Sequence, residues 1–145
     1  MILRKLRALL EGEQPIASEH DLQLAAAALL IELSKADFRR DEREQQAIVA
    51  AVRNCYRQLD ETMIAELIRD AEAASNNATS LYEFTHIINE RCSEEEKFQL
   101  VRELWRVAFA DGEVDKYEDH LIRKIADLIY LPHTLYIKAK LEAAP

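Results

Sequence analysis

Two glycines and three prolines in 145 residues leave this chain few places to turn. A strand-rich fold needs a turn roughly every 8–12 residues, and Gly, Pro, Asn and Asp supply most of them. Long helices with short connections are the alternative. No segment sustains an apolar period of two, whereas apolar residues recur at spacings of three and four throughout. The expected fold is therefore all-α, a bundle of seven to eight helices. With 49% apolar residues the chain can fill one core, and its length suits one domain rather than two.

Helix starts are legible as capping boxes, in which an N-cap side chain and an acid three residues later satisfy the first free amides. Ser18 with Asp21 predicts a helix to about Ala36, and Asp41 with Glu44 one to about Gln58. Asp60 predicts a helix to about Ala74, followed by a loop at Ser75–Thr79. Ser80 with Glu83 opens a helix to about Arg91, Ser93 with Glu96 one to about Ala110, and Asp115 with Glu118 one to about Tyr130. Pro132 fits the first turn of a last helix reaching about Glu142. The helices beginning at Ser18 and Ser93 carry apolar residues on more than one face, which predicts central positions. Those beginning at Asp41 and Asp60 carry narrower stripes and should lie outside.

The chain also resembles itself. An offset of 74 residues places 24–57 on 98–131, pairing Leu30 with Leu104, Ala36 with Ala110, Asp37 with Asp111, Asp41 with Asp115, Glu44 with Glu118, Ile48 with Ile122 and Tyr56 with Tyr130. Two copies are too few for a solenoid. A duplicated helix–turn–helix unit packed about a pseudo-two-fold axis is expected.

The shared acids cluster at the junction between the two helices of each copy. At the second junction Asp111, Glu113, Asp115 and Glu118 lie within eight residues, with Gly112 in the turn. Helix capping accounts for much of this pattern, Gly ending one helix and Asp-x-x-Glu starting the next. The same residues also gather hard oxygen donors of the kind Ca²⁺ or Mg²⁺ takes. They do not make an EF-hand, since Lys116 stands where that loop needs Gly and Ile122 where it needs Glu. The first junction offers Asp37, Asp41 and Glu44, but Arg39 and Arg40 offset their charge. These seven acids are the candidate metal ligands.

Other chemistry is harder to find. Net charge is −8, which excludes a basic nucleic-acid-binding surface. The four histidines, His20, His86, His120 and His133, form no metal-binding pair. There is no nucleophile elbow, no Gly-rich phosphate loop and no CxxC. Cys55 and Cys92 are expected to be free thiols in a reducing cytoplasm. Trp105 lies in an apolar stripe and fits a core, although with Tyr117 it could belong to a recognition surface. No catalytic or cofactor-binding residues emerge.

Residues 1–10 are the one strongly basic piece, leaving about −11 on the rest. Ile2, Leu3, Leu6, Leu9 and Leu10 share a helical face, and Arg4, Lys5 and Arg7 lie mostly off it. Residues 1–17 are read as this amphipathic segment with its linker, and 18–145 as the helical domain. The segment could pack on the bundle or rest on an anionic membrane. It is too short and too charged for a secretory signal or a membrane span.

The stretch Leu104–Glu118, with Leu121–Ala126 after it, resembles the TerB family of tellurite-resistance proteins and the TerB-like domain of the DjlA co-chaperones. The family pattern is an aliphatic helix, Ala-x-Ala-Asp-Gly-x-aliphatic-x-x-x-Glu, and a second aliphatic helix; Ala108, Ala110, Asp111, Gly112, Val114 and Glu118 match it. Leu81–Thr85 is similar too, and the resemblance covers about residues 20–140. Phe38 replaces the glycine at the first junction. The resemblance implies a bacterial all-helical module for tellurite or general stress resistance, without enzymatic activity, with an acidic cation-binding surface and membrane-associated protein partners. No J-domain follows Pro145, so no co-chaperone role is expected. The functional expectation is a non-enzymatic interaction module in the cytoplasm, peripheral to the inner membrane if its N-terminus binds lipid. The alternatives are a peripheral membrane adaptor and, less favoured, a metal-dependent enzyme.

Overall fold

The computed structural model describes residues 17–36, 42–110 and 112–145. Among these residues every regular element is a helix: α1 Glu19–Lys35, α2 Glu42–Cys55, α3 Glu61–Asn77, α4 Tyr82–Arg91, α5 Glu94–Phe109, α6 Lys116–Leu128 and α7 His133–Ala143. Residues 1–16, with the amphipathic segment, lie outside the described part, as do 37–41 and Asp111.

α1 and α5 occupy the centre. α1 packs against α2, α3, α4, α5 and α6, and α5 against α1, α2, α6 and α7. Their composition explains the placement. Ala25 to Ile31 of α1 are all buried, as are Leu100, Val101, Leu104, Trp105, Val107 and Ala108 of α5. A run of alanines lets neighbouring helices approach α1 on several sides, and Trp105 fills the space around α5. Trp105 is fully buried and its ring lies 5.8 Å from that of Tyr136 in α7. Tyr117 is exposed, so the two do not form one recognition surface.

The 74-residue offset reappears in the helix boundaries. α1 ends at Lys35 and α5 at Phe109; α2 begins at Glu42 and α6 at Lys116. Burial follows the same register, with Leu30 and Leu104, Ile48 and Ile122, Ala51 and Ile125, and Val52 and Ala126 all in the core. The contacts are reciprocal, since α1 touches α6 and α5 touches α2. α3 packs on α1 as α7 packs on α5.

Four expectations need correction. α2 ends at Cys55 rather than near Gln58. Ser75–Asn77 continue α3 rather than opening a loop. The buried Ser75 hydroxyl donates to Glu32 of α1 and accepts from Lys35 Nζ (2.7 Å), while Asn76 also accepts from Lys35 (2.6 Å). These cross-helix bonds hold polar residues in helical backbone that their local preference would release. Ser80 is not the N-cap of α4; Leu81 holds that position with no side-chain cap. The Glu83 carboxylate instead accepts from the amides of Thr79 (2.6 Å) and Ser80 (3.0 Å). Finally, α6 stops at Leu128 because Tyr130 adopts a left-handed backbone (φ 58°) and the Leu131 amide turns back to Ala126 O (3.0 Å). Gly normally fills such a C′ position.

Candidate cation-binding turn

The second junction is built from the end of α5 and the start of α6. α5 closes at Phe109, and Ala110 caps it through its amide to Val107 O. Gly112 then takes φ 94° and donates to Phe109 O (2.9 Å). A Cβ at Gly112 would meet nothing within 4 Å, so backbone conformation rather than space makes glycine suitable. The sharp turn presents Glu113 to solvent and delivers Asp115 to the N-cap of α6.

Asp115 and Glu118 form a complete capping box. Asp115 Oδ1 accepts from the amides of Tyr117 (2.9 Å) and Glu118 (2.8 Å), and Glu118 Oε1 accepts from the Asp115 amide (3.2 Å). Both amides fall on one Asp115 oxygen. Glu118 is fully buried despite its charge. The donors in this turn are carboxylates, which suit a hard cation such as Ca²⁺ or Mg²⁺ and not a thiophilic metal. The histidine nearest in sequence, His120, is exposed on the next turn of the helix. Asp111 lies outside the described residues, and among those described no group of three or more His, Cys, Asp or Glu side chains is placed to hold a metal ion.

At the first junction Asp37 and Asp41 lie outside the described residues, together with Arg39 and Arg40. Glu44 is described and is fully buried, as its counterpart Glu118 is. Each stands at the third position of its helix.

Two features were not legible beforehand. Glu103, a buried acid in the middle of α5, pairs with Arg106 and accepts from Asn54 of α2 (3.2 Å). The i,i+3 spacing of Glu103 and Arg106 was visible, but nothing in the sequence located Asn54. Cys55 and Cys92, 37 residues apart, line the same small cavity of about 30 Å³ with Tyr56 and Gln99. Burial, helped by the Glu103 carboxylate, pushes the Cys55 thiol up to about 12, and burial raises Cys92 to about 11. Thiols so held stay protonated and unreactive at neutral pH.

Residues 23–141 match the family described as Tellurite resistance protein TerB. The chain belongs to the TerB family. That match spans all seven described helices apart from the first turn of α1 and the last two residues of α7, and it makes the protein a tellurite-resistance-associated helical module. No curated protein and no solved structure gives a match. No helix among the described residues is long and apolar enough to cross a membrane.

Proposed function

We propose that this TerB-family chain is a non-enzymatic interaction module of a stress-resistance system, and that a divalent cation bound at the second junction sets its partner-binding surface. Asp115 carries the reading: its Oδ1 holds two amides of α6 in a turn where Glu113, two residues earlier, is exposed. Asp111, Glu113, Asp115 and Glu118 would supply the oxygens. A cation there would relieve the mutual repulsion of the carboxylates, with only Lys116 nearby in sequence to oppose it. Asp37, Asp41 and Glu44 form the weaker counterpart, because Arg39 and Arg40 supply positive charge in advance. The partner is a protein, to be sought first at the inner membrane, and no nucleic acid is involved since the net charge is −8.

Thermal melting of the metal-free chain against Ca²⁺, Mg²⁺, Mn²⁺ and Zn²⁺ tests this. A ligand that binds only the folded state raises the melting temperature with concentration. Ca²⁺ or Mg²⁺ should do so and Asp111→Asn should remove the response. No shift with any of the four at millimolar concentration would leave Asp115 and Glu118 as caps alone.

A further inference from the structure

Cys55 and Cys92 are the only two cysteines of the chain, and they meet at one cavity although 37 residues separate them. Cys55 is the last residue of α2, and Cys92 caps the end of α4, directly before Ser93, the N-cap of α5. Both are half-buried. The cavity they line with Tyr56, Glu96 and Gln99 is about 30 Å³, room for about one or two waters. Side chains on the wall of so small a space are near neighbours. Accordingly a charge on Cys92 is among the influences that raise the Cys55 thiol, after burial and Glu103. The backbone is held on both sides. Gln99 Nε2 donates to Asn54 O (3.0 Å), which ties the end of α2 to α5, and the Cys92 amide donates to Ile88 O (2.9 Å). We propose that Cys55 and Cys92 are a redox latch, which a hydroperoxide closes to a disulfide that fastens the end of α2 to the joint between α4 and α5.

The reaction balances with one peroxide per pair. The Cys92 sulfur attacks a peroxide oxygen, the O–O bond breaks, and the leaving hydroxide departs as water with the thiol proton. Cys92 then carries a sulfenic acid. The Cys55 sulfur attacks that sulfur, an S–S bond forms, the S–O bond breaks, and a second water leaves with the Cys55 proton. The two sulfurs have given up one electron each, and the peroxide is reduced to two waters. Cys92 reacts first because burial raises its thiol only to about 11, against about 12 for Cys55, and the thiolate is the attacking form. The same burial makes the step slow, so brief or dilute oxidant leaves the pair reduced. It also makes the bond durable once closed. Catalytic disulfides oxidise other thiols because their own reduced thiolate is stabilised, whereas here the reduced form gains nothing from ionisation at neutral pH. A cytoplasmic disulfide of this kind forms under stress and is absent at rest.

Alkylation after oxidation tests the proposal. The full native chain is held in millimolar hydrogen peroxide at mildly alkaline pH, freed of peroxide, and unfolded in guanidinium with iodoacetamide. The oxidised chain should take up no label and should yield a peptide in which Cys55 is joined to Cys92, and dithiothreitol should restore two labels. Because the bond closes a 37-residue loop in the unfolded chain, the oxidised form should melt about 5–10 °C higher than the reduced one. Cys55→Ser and Cys92→Ser should each remove that rise. Two labels after prolonged oxidation would overturn the proposal. So would chains joined in pairs, or sulfinic acid on either sulfur without the Cys55–Cys92 peptide. An oxidised form that melts lower than the reduced one would also overturn it, since the folded cavity would then not accommodate the bond.

Discussion

Glu44 and Glu118, 74 residues apart, are both shut off from solvent at the third position of α2 and α6. A carboxylate in that position answers the positive end of the helix macrodipole and closes a capping box. For Glu118 the box is complete, its Oε1 accepting from the Asp115 amide. The two buried acids stand at the junctions where the candidate ligands cluster.

Removing either carboxylate should therefore cost more than a surface substitution. Glu118→Ala loses the cap and leaves a small void, and should lower the unfolding free energy by about 1–3 kcal/mol. Glu44→Ala should fall in the same range. Urea titration followed by circular dichroism gives both values, and a loss within about 0.5 kcal/mol of zero would contradict the structural role.

The caps can be told apart in the same assay. Ser93 accepts from the Glu96 amide (3.2 Å) in a complete box, so Ser93→Ala should destabilise by ~1 kcal/mol. Ser80→Ala should change little, because the Glu83 carboxylate does the capping and uses only the Ser80 backbone amide. Those two amide bonds lower the Glu83 pKa below its ordinary 4.5. The unfolded chain thus takes up a proton before the folded one as acidity rises. The stabilisation from Glu83 is present above about 4.5 and is lost as pH falls through its lower folded pKa. Glu83→Gln should flatten that part of the stability–pH curve.

Much of this arrangement was legible beforehand, and the exceptions share a cause. Capping boxes at Ser18, Ser93 and Asp115 form as their spacing implies, since all their partners lie within three residues. The extension of α3 through Asn77 was hidden because Lys35 and Glu32, which hold Ser75 and Asn76, come from another helix. Burial of Glu44 and Glu118 was hidden too, since an acid on the first turn of a helix normally faces water. At the candidate site, spacing located Asp115 and Glu118 but did not reveal that a single Asp115 oxygen accepts both amides.

Tyr130 offers a stabilising change. Its side chain is 79% exposed, and its left-handed backbone costs an L-residue about 1–2 kcal/mol. Tyr130→Gly relieves that strain and gives back roughly 0.5–1 kcal/mol in backbone entropy. The net effect should be a gain of about 0.5–1 kcal/mol, read as a higher urea midpoint at unchanged slope. A lower midpoint would mean that the Tyr130 ring makes contacts worth more than the strain.

The cysteines should behave as buried thiols. Iodoacetamide at pH 8 should modify Cys55 and Cys92 slowly in the native chain and rapidly in guanidinium, as followed by intact mass. Because the folded pKa values are raised to about 12 and about 11 from 9.0, the unfolded chain loses these protons first. Stability should decline as pH rises above about 9, and Cys55→Ala with Cys92→Ala should reduce that decline.

Calorimetric titration of Ca²⁺ and Mg²⁺ into the metal-free chain, beside Asp111→Asn, bears most directly on the proposed cation-dependent module. The account predicts saturable binding of at least one of the two ions, with one dominant site per chain that Asp111→Asn abolishes while the circular dichroism spectrum stays the same. Absence of binding heat for both ions at several temperatures, together with unchanged melting, would contradict it. So would equal binding by wild type and Asp111→Asn.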